Sequence, residues 1–260
     1  MPQATNPTDG VKIHYEVEGA GPPLVLLHGF SERLEMWREA GYVDALSADY
    51  HLVLIDARGH GQSGKPHEPK AYSMELQVSD VTSALDGLGI AQAHVFGSTL
   101  GGGQSCFGML QHAPDRLASL IIHGMFPYAT RADVWKGVAE QSRDGMEAYW
   151  ADIEQRAGEP TPEPYRSWVM ENDTEALAAH SLAIGEMTGF ADSLATASLP
   201  CLMFAGSEGI AHDRVKEAAG EMPNATFVSV PDLDGMLLPG HSDVALPHVT
   251  EFLTRVTAEG

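Results

Sequence analysis

Short runs of consecutive apolar residues alternate along the chain with stretches whose apolar positions recur every three or four residues. The runs at 11–19, 23–29, 51–59, 93–97, 117–124, 199–206 and 225–230 read as strands. Between them, the spacing predicts helices near 34–46, 73–88, 99–112, 213–219 and 244–254. Strands that are apolar on consecutive positions have no polar face to offer water. Separated by helices, they imply a mainly parallel central sheet covered on both faces. Residues 125–195 break the alternation. They are helical in pattern, hold eight of the nineteen aromatic residues, and are interrupted by the rigid stretch GEPTPEP at 158–164. This block reads as a helical cap inserted after one strand, giving a core of 1–124 and 196–260 and a cap of 125–195. Either its aromatics face a pocket beneath the cap, or they pack the cap onto the sheet.

The length of 260 residues suits one such domain with an insertion. No apolar run reaches membrane-spanning length, and the amino-terminal MPQATNPTDG has neither a basic nor an apolar region of a secretory signal. The expectation is a cytoplasmic protein with no membrane partner. The 36 acidic residues outnumber the 15 basic ones, for a net charge of −21, which repels nucleic acid. Cys106 and Cys201 lie in apolar contexts and are expected as buried free thiols. The twelve histidines form no ligand spacing, so no metal and no cofactor are expected.

Four ordered segments carry candidate chemistry: LLHGF at 26–30, LIDARGHGQSGKP at 54–66, GSTLGG at 97–102, and the carboxy-terminal stretch 222–253 containing DLDGM. Together they resemble the α/β-hydrolase superfamily, over the whole sheet region. The resemblance implies the α/β-hydrolase fold, with GSTLGG as the strand-to-helix elbow that exposes its middle residue. It places Thr99 at the nucleophile position and puts the oxyanion-binding N–H groups at Phe30 and Leu100. It also implies an acid at Gly209 and a catalytic histidine at Gly235. All three side-chain positions therefore depart from serine, acid and histidine. Glu208, Asp213 and His241 are neighbouring substitutes, and Ser98 points elsewhere along the elbow.

Without a base beside it, a threonine hydroxyl keeps a very weak acidity and attacks esters poorly. The function expected is therefore a non-hydrolytic small-molecule enzyme: a lyase, isomerase or cyclase of natural-product type, acting on a hydrophobic substrate under the cap. Alternatives are an esterase or lactonase rebuilt around Thr99, and an inactive binding protein. Candidate catalytic residues are Thr99 and His123, the latter ending a strand on the elbow's edge of the sheet or serving as a structural histidine. Candidate substrate-binding residues are His28, Trp37, Trp150, His180 and Met236. Glu32 and Glu35 have two readings, as carboxylates near a ligand or at a helix start. The expected partners are a hydrophobic small molecule and possible further copies of the chain.

Overall fold

The structure, a computed structural model, describes residues 2–157, 160–231 and 242–259. Eight strands form one sheet: β1 (Gln3–Thr5), β2 (Lys12–Glu18), β3 (Pro23–Leu27), β4 (His51–Ile55), β5 (Ala93–Ser98), β6 (Leu117–His123), β7 (Cys201–Gly206) and β8 (Ala225–Val230). Their order is β1-β2-β4-β3-β5-β6-β7-β8. The β1–β2 and β2–β4 pairs are antiparallel, and every later pair is parallel. The seven strands predicted from the apolar runs are present. β1 is missed because three residues are too short to show a period.

Strand alternation splits the core into two layers. Val25, Leu27, Val53, Val95, Ile122 and Met203 point to one face, against Val81 and Leu85 of α3 (Met74–Gly87), Phe107 of α4 (Gly102–His112) and Val215 of α9 (His212–Glu221). Leu24, Leu26, Leu54, Phe96, Leu202 and Phe204 point to the other. They meet Trp37 of α1 (Met36–Glu39), Tyr42 of α2 (Tyr42–Leu46) and Phe252 of α10 (Ser242–Glu259). Each fully buried side chain of this kind contributes about 1.5–3 kcal/mol. The helix expected over 34–46 is two short helices, because Gly41 between them takes the left-handed φ of 78°. Cys106 and Cys201 are free and buried.

Between β6 and β7 stand α5 (Ala132–Asp144), α6 (Met146–Ala157), α7 (Tyr165–Met170) and α8 (Thr174–Glu186). The chain enters and leaves this helical block through one seam, where Tyr128 and Gly189 form an antiparallel bridge and the Phe190 N–H donates to Pro127 O at 2.6 Å. The block rests on the loop at the carboxyl end of β3: Tyr165 donates to Glu32, and the rings of Trp135, Tyr149 and His180 lie against Phe30. Among the described residues, no helix is long and apolar enough to cross a membrane.

Candidate active site

β5 ends at Ser98, and the turn Thr99–Gly101 leads into α4. The turn is tight. A Cβ on Gly97 would stand 2.1 Å from Gly102 O, so only glycine fits there. Thr99 takes φ of 45°, a left-handed conformation that a β-branched residue enters only at a cost of about 1–3 kcal/mol. Its N–H donates to His123 O at 2.7 Å, and its carbonyl accepts from Gly103 N at 2.9 Å. The helix starts at Gly102 rather than at the 99 expected, because residues 99–101 are spent on this turn.

That turn closes against the loop after β3. Gly29 and Gly101 form a bridge, and the Phe30 N–H donates to Leu100 O at 2.6 Å. The expectation that the Phe30 amide stands free to hold an oxyanion is thus corrected: a carbonyl from the elbow already occupies it. The Leu100 N–H meets no protein acceptor among the described residues.

The expected partners of a nucleophile are dispersed. Glu208 is exposed, as is Asp213, which pairs with His212 at 2.9 Å. His123 is fully buried, with its ring 4.9 Å from that of Phe204. Its Nδ1 lies 3.4 Å from Ser98 Oγ, and its Nε2 has no partner. Burial pushes the imidazole down to about 3, so it is neutral. Its ring meets Ser98 and Phe204 rather than Thr99, because β5 and β6 pair Ser98 beside His123 on the same face. Gly235, Met236 and His241 lie outside the described residues.

Thr99 and Glu32 both pack against Gly29: a Cβ there would stand 2.4 Å from Thr99 Oγ1 and 2.9 Å from Glu32 Oε2, so neither side chain leaves room for one. Glu32 is 7% exposed. Its Oε2 accepts the Gly29 N–H at 2.7 Å, and its Oε1 accepts the hydroxyl of Tyr165, which α7 brings down from above. Burial raises the Glu32 carboxyl above its ordinary value, against the opposing pull of Tyr165, the Gly29 N–H and His28. The Tyr165 phenol is raised well above its own by burial and then by the Glu32 charge. Glu32 is not at a helix start, since α1 begins at Met36. The helix-start reading missed its burial, and nothing in the sequence spacing pairs it with Tyr165.

The other candidates have structural partners. His28 accepts the Ala57 N–H at Nε2, 3.0 Å away, so its Nδ1 carries the proton donated to Gly29 O at 2.8 Å. Trp37 is fully buried and packs on Phe96 and Tyr42, with ring centroids 4.8 and 5.3 Å away. The expectation of a substrate-binding residue is corrected to a core residue, because the ring is buried against the strand side chains. Trp150 is buried too, its Nε1–H donating to Thr161 Oγ1 at 2.7 Å. His180 stacks on Tyr72 at 4.8 Å and lies 5.4 Å from Phe30, with both ring nitrogens unpartnered. Burial, aided by Arg58 and His28, holds it down at about 3. Asp56, Arg58, His60 and Ser63 brace the loops: Asp56 takes the Leu34 and Gln62 N–H groups, and Arg58 grips Asp80 through two nitrogens. Among the described residues, no cluster of His, Cys, Asp or Glu is arranged to hold a metal.

The profile of the alpha/beta hydrolase fold family matches residues 22–172. A Bacillus subtilis (strain 168) protein assigned as a 2-succinyl-6-hydroxy-2,4-cyclohexadiene-1-carboxylate synthase is 29% identical over 205 residues, covering 72% of this chain and 73% of that one. The mouse (Mus musculus) bifunctional epoxide hydrolase 2 is 36% identical over 108 residues, 37% of this chain and only 19% of the relative's length. Among solved structures, an enol-lactonase from Burkholderia xenovorans LB400 superposes with a TM-score of 0.84 at 25% identity, over 97% of this chain and 100% of that one. With its sheet order, its elbow and this match, the chain belongs to the α/β-hydrolase fold family.

Proposed function

We propose that this protein is a non-hydrolytic small-molecule enzyme on the α/β-hydrolase fold, a lyase or isomerase acting on an apolar substrate beneath the helical cap. The observation that carries the reading is that His123 turns its Nδ1 to Ser98 Oγ. Among the described residues, no hydrogen bond joins an imidazole to the Thr99 hydroxyl. A hydroxyl nucleophile needs an adjacent base to lose its proton, and ester hydrolysis needs free donors for the developing oxyanion. Here no imidazole reaches the elbow hydroxyl among the described residues, and the Phe30 donor is spent on Leu100 O. Withholding an activated nucleophile protects a reactive substrate from hydrolysis, which suits an enzyme that rearranges or splits carbon skeletons. The likeness to a relative whose name is that of a synthase supports the same reading. In this account the Thr99 hydroxyl and the Leu100 N–H are polar contacts to substrate. The aromatic surface of Phe30, Trp135 and Tyr149, with ring centroids 6.0 and 6.4 Å from Phe30, gives the apolar contact.

The test is turnover of p-nitrophenyl acetate by the wild type and by Thr99→Ala. Equal background rates are expected. A wild-type rate well above background that is lost in Thr99→Ala would favour the alternative, a hydrolase rebuilt around Thr99.

A further inference from the structure

The sheet has two edges, and only one of them is protected. β1 closes one edge with three residues, Gln3–Thr5. So short an edge strand offers little for another chain to pair with. β8 closes the other edge with six residues, Ala225–Val230, and its sequence ATFVSV holds no charge and no proline. The ladder to β7 uses alternate residues of β8. Cys201 N donates to Asn224 O at 3.1 Å, and Ser207 N to Val230 O at 2.8 Å. The parallel register between these two bonds is unbroken, so Thr226 and Val228 also turn their main chain to β7. The N–H and C=O groups of Phe227 and Ser229 therefore point away from the sheet, and among the described residues no strand pairs with them.

α10 borders this edge. Thr226 and Val228 line a groove of about 200 Å³ with His248, Glu251, Phe252 and Arg255. Beside it, the helix presents Leu246, Pro247, Thr250 and Thr254, an uncharged stripe on a chain of net charge −21. Arg255 is exposed, lies over the Phe252 ring at 5.6 Å, and pairs with no carboxylate among the described residues. Glu251, one turn earlier, is exposed and pairs with no cation among them.

We propose that β8 and α10 form the interface of a homodimer, with β8 of two copies paired antiparallel about a two-fold axis at Phe227. The two sheets then run on as one. Phe227 exchanges both main-chain hydrogen bonds with its counterpart, and Ala225 stands opposite Ser229. Thr226 and Val228 flank that axis and share their groove with Glu251 and Arg255, so the axis passes near the helical turn between the last two. Antiparallel helices related by it bring Glu251 of each copy toward Arg255 of the other. A two-fold interface must be self-complementary, and this one sets donor against acceptor along the strand and anion against cation along the helix. The charge of −21 opposes association in general, but here each anion meets a cation.

Sedimentation velocity of the full chain at about 50 μM tests this. The expected species has twice the 27.8 kDa mass of one copy. Ser229→Pro removes an outward N–H without touching the β7 ladder, a change that edge strands tolerate, and is expected to leave monomer. Arg255→Glu sets carboxylates against one another on both sides of the axis and is expected to weaken association about 100-fold or more. Adding Glu251→Arg to it restores opposite charges and is expected to return the dimer. Circular dichroism checks the folding of each variant. A monomeric wild type, leaving the edge to a strand of some other protein, overturns the proposal. So does a dimer that persists unchanged in Ser229→Pro or in Arg255→Glu, or a charge-swapped protein that stays monomeric. If Ser229→Pro does not fold, Arg255→Glu and the charge-swapped protein decide.

Discussion

Glu32 accepts a hydrogen bond from the Tyr165 hydroxyl across the seam between sheet and helical block, joining positions 133 residues apart. This contact ties the loop after β3 to α7, and Thr99 Oγ1 and Glu32 Oε2 both pack against Gly29 in that loop. It makes the state of one carboxyl matter to stability.

Because burial raises the Glu32 carboxyl in the folded protein, the native state holds that proton more tightly than the unfolded chain. The associated stability is fully present below the ordinary carboxylate value of 4.5 and is lost as pH rises through the folded value. Glu32→Gln removes this dependence. Urea unfolding across pH is expected to show the variant gaining on the wild type as pH rises, with a slope of at most about 1.4 kcal/mol per pH unit.

His180 titrates in the opposite sense. Its imidazole is neutral when folded, held at about 3 against an ordinary 6.5, so the unfolded chain takes up its proton first. Stability is lost as pH falls through that window. His180→Phe keeps a ring for the Tyr72 stack and removes the titration. The variant is expected to resist acid unfolding better than the wild type, by up to about 1.4 kcal/mol per pH unit within the window, followed by circular dichroism.

Gly29 reports how closely Thr99 and Glu32 pack against it. In Gly29→Ala the added methyl meets Thr99 Oγ1 and Glu32 Oε2 at once. Destabilisation of about 1–3 kcal/mol is expected, as for overpacking elsewhere. In a Thr99→Ala background the same change is expected to cost less, and the difference between the two costs measures the contact. Equal costs would place the two groups apart.

The thiols give a simple check on the core. Cys106 and Cys201 are fully buried, and burial pushes the Cys201 thiol up to about 12. Neither is expected to react with Ellman's reagent at neutral pH until the protein is unfolded, when both should.

The sheet was legible in the sequence because its strands are apolar on consecutive positions, as in Leu24–Leu27 and Leu52–Ile55. The elbow was legible from Gly97 and Gly101 around Thr99, since few other turns need that spacing. The closed state of the cradle was not, because it rests on a main-chain bond between Phe30 and Leu100 that no side chain announces. Trp37 was misplaced for a related reason: an aromatic near a pocket loop has the same sequence signal whether it turns inward to Phe96 or outward. The Glu32–Tyr165 contact was invisible because it joins two segments whose relative placement only the folded cap decides. Met236 lies outside the described residues.

The central claim is that the elbow hydroxyl of Thr99 is not an activated nucleophile. Its most direct test is incubation of the wild type with a fluorophosphonate probe, followed by intact-protein mass spectrometry. The account predicts unmodified protein under conditions that fully label an ordinary serine hydrolase. A single stoichiometric adduct mapped to Thr99 would contradict it.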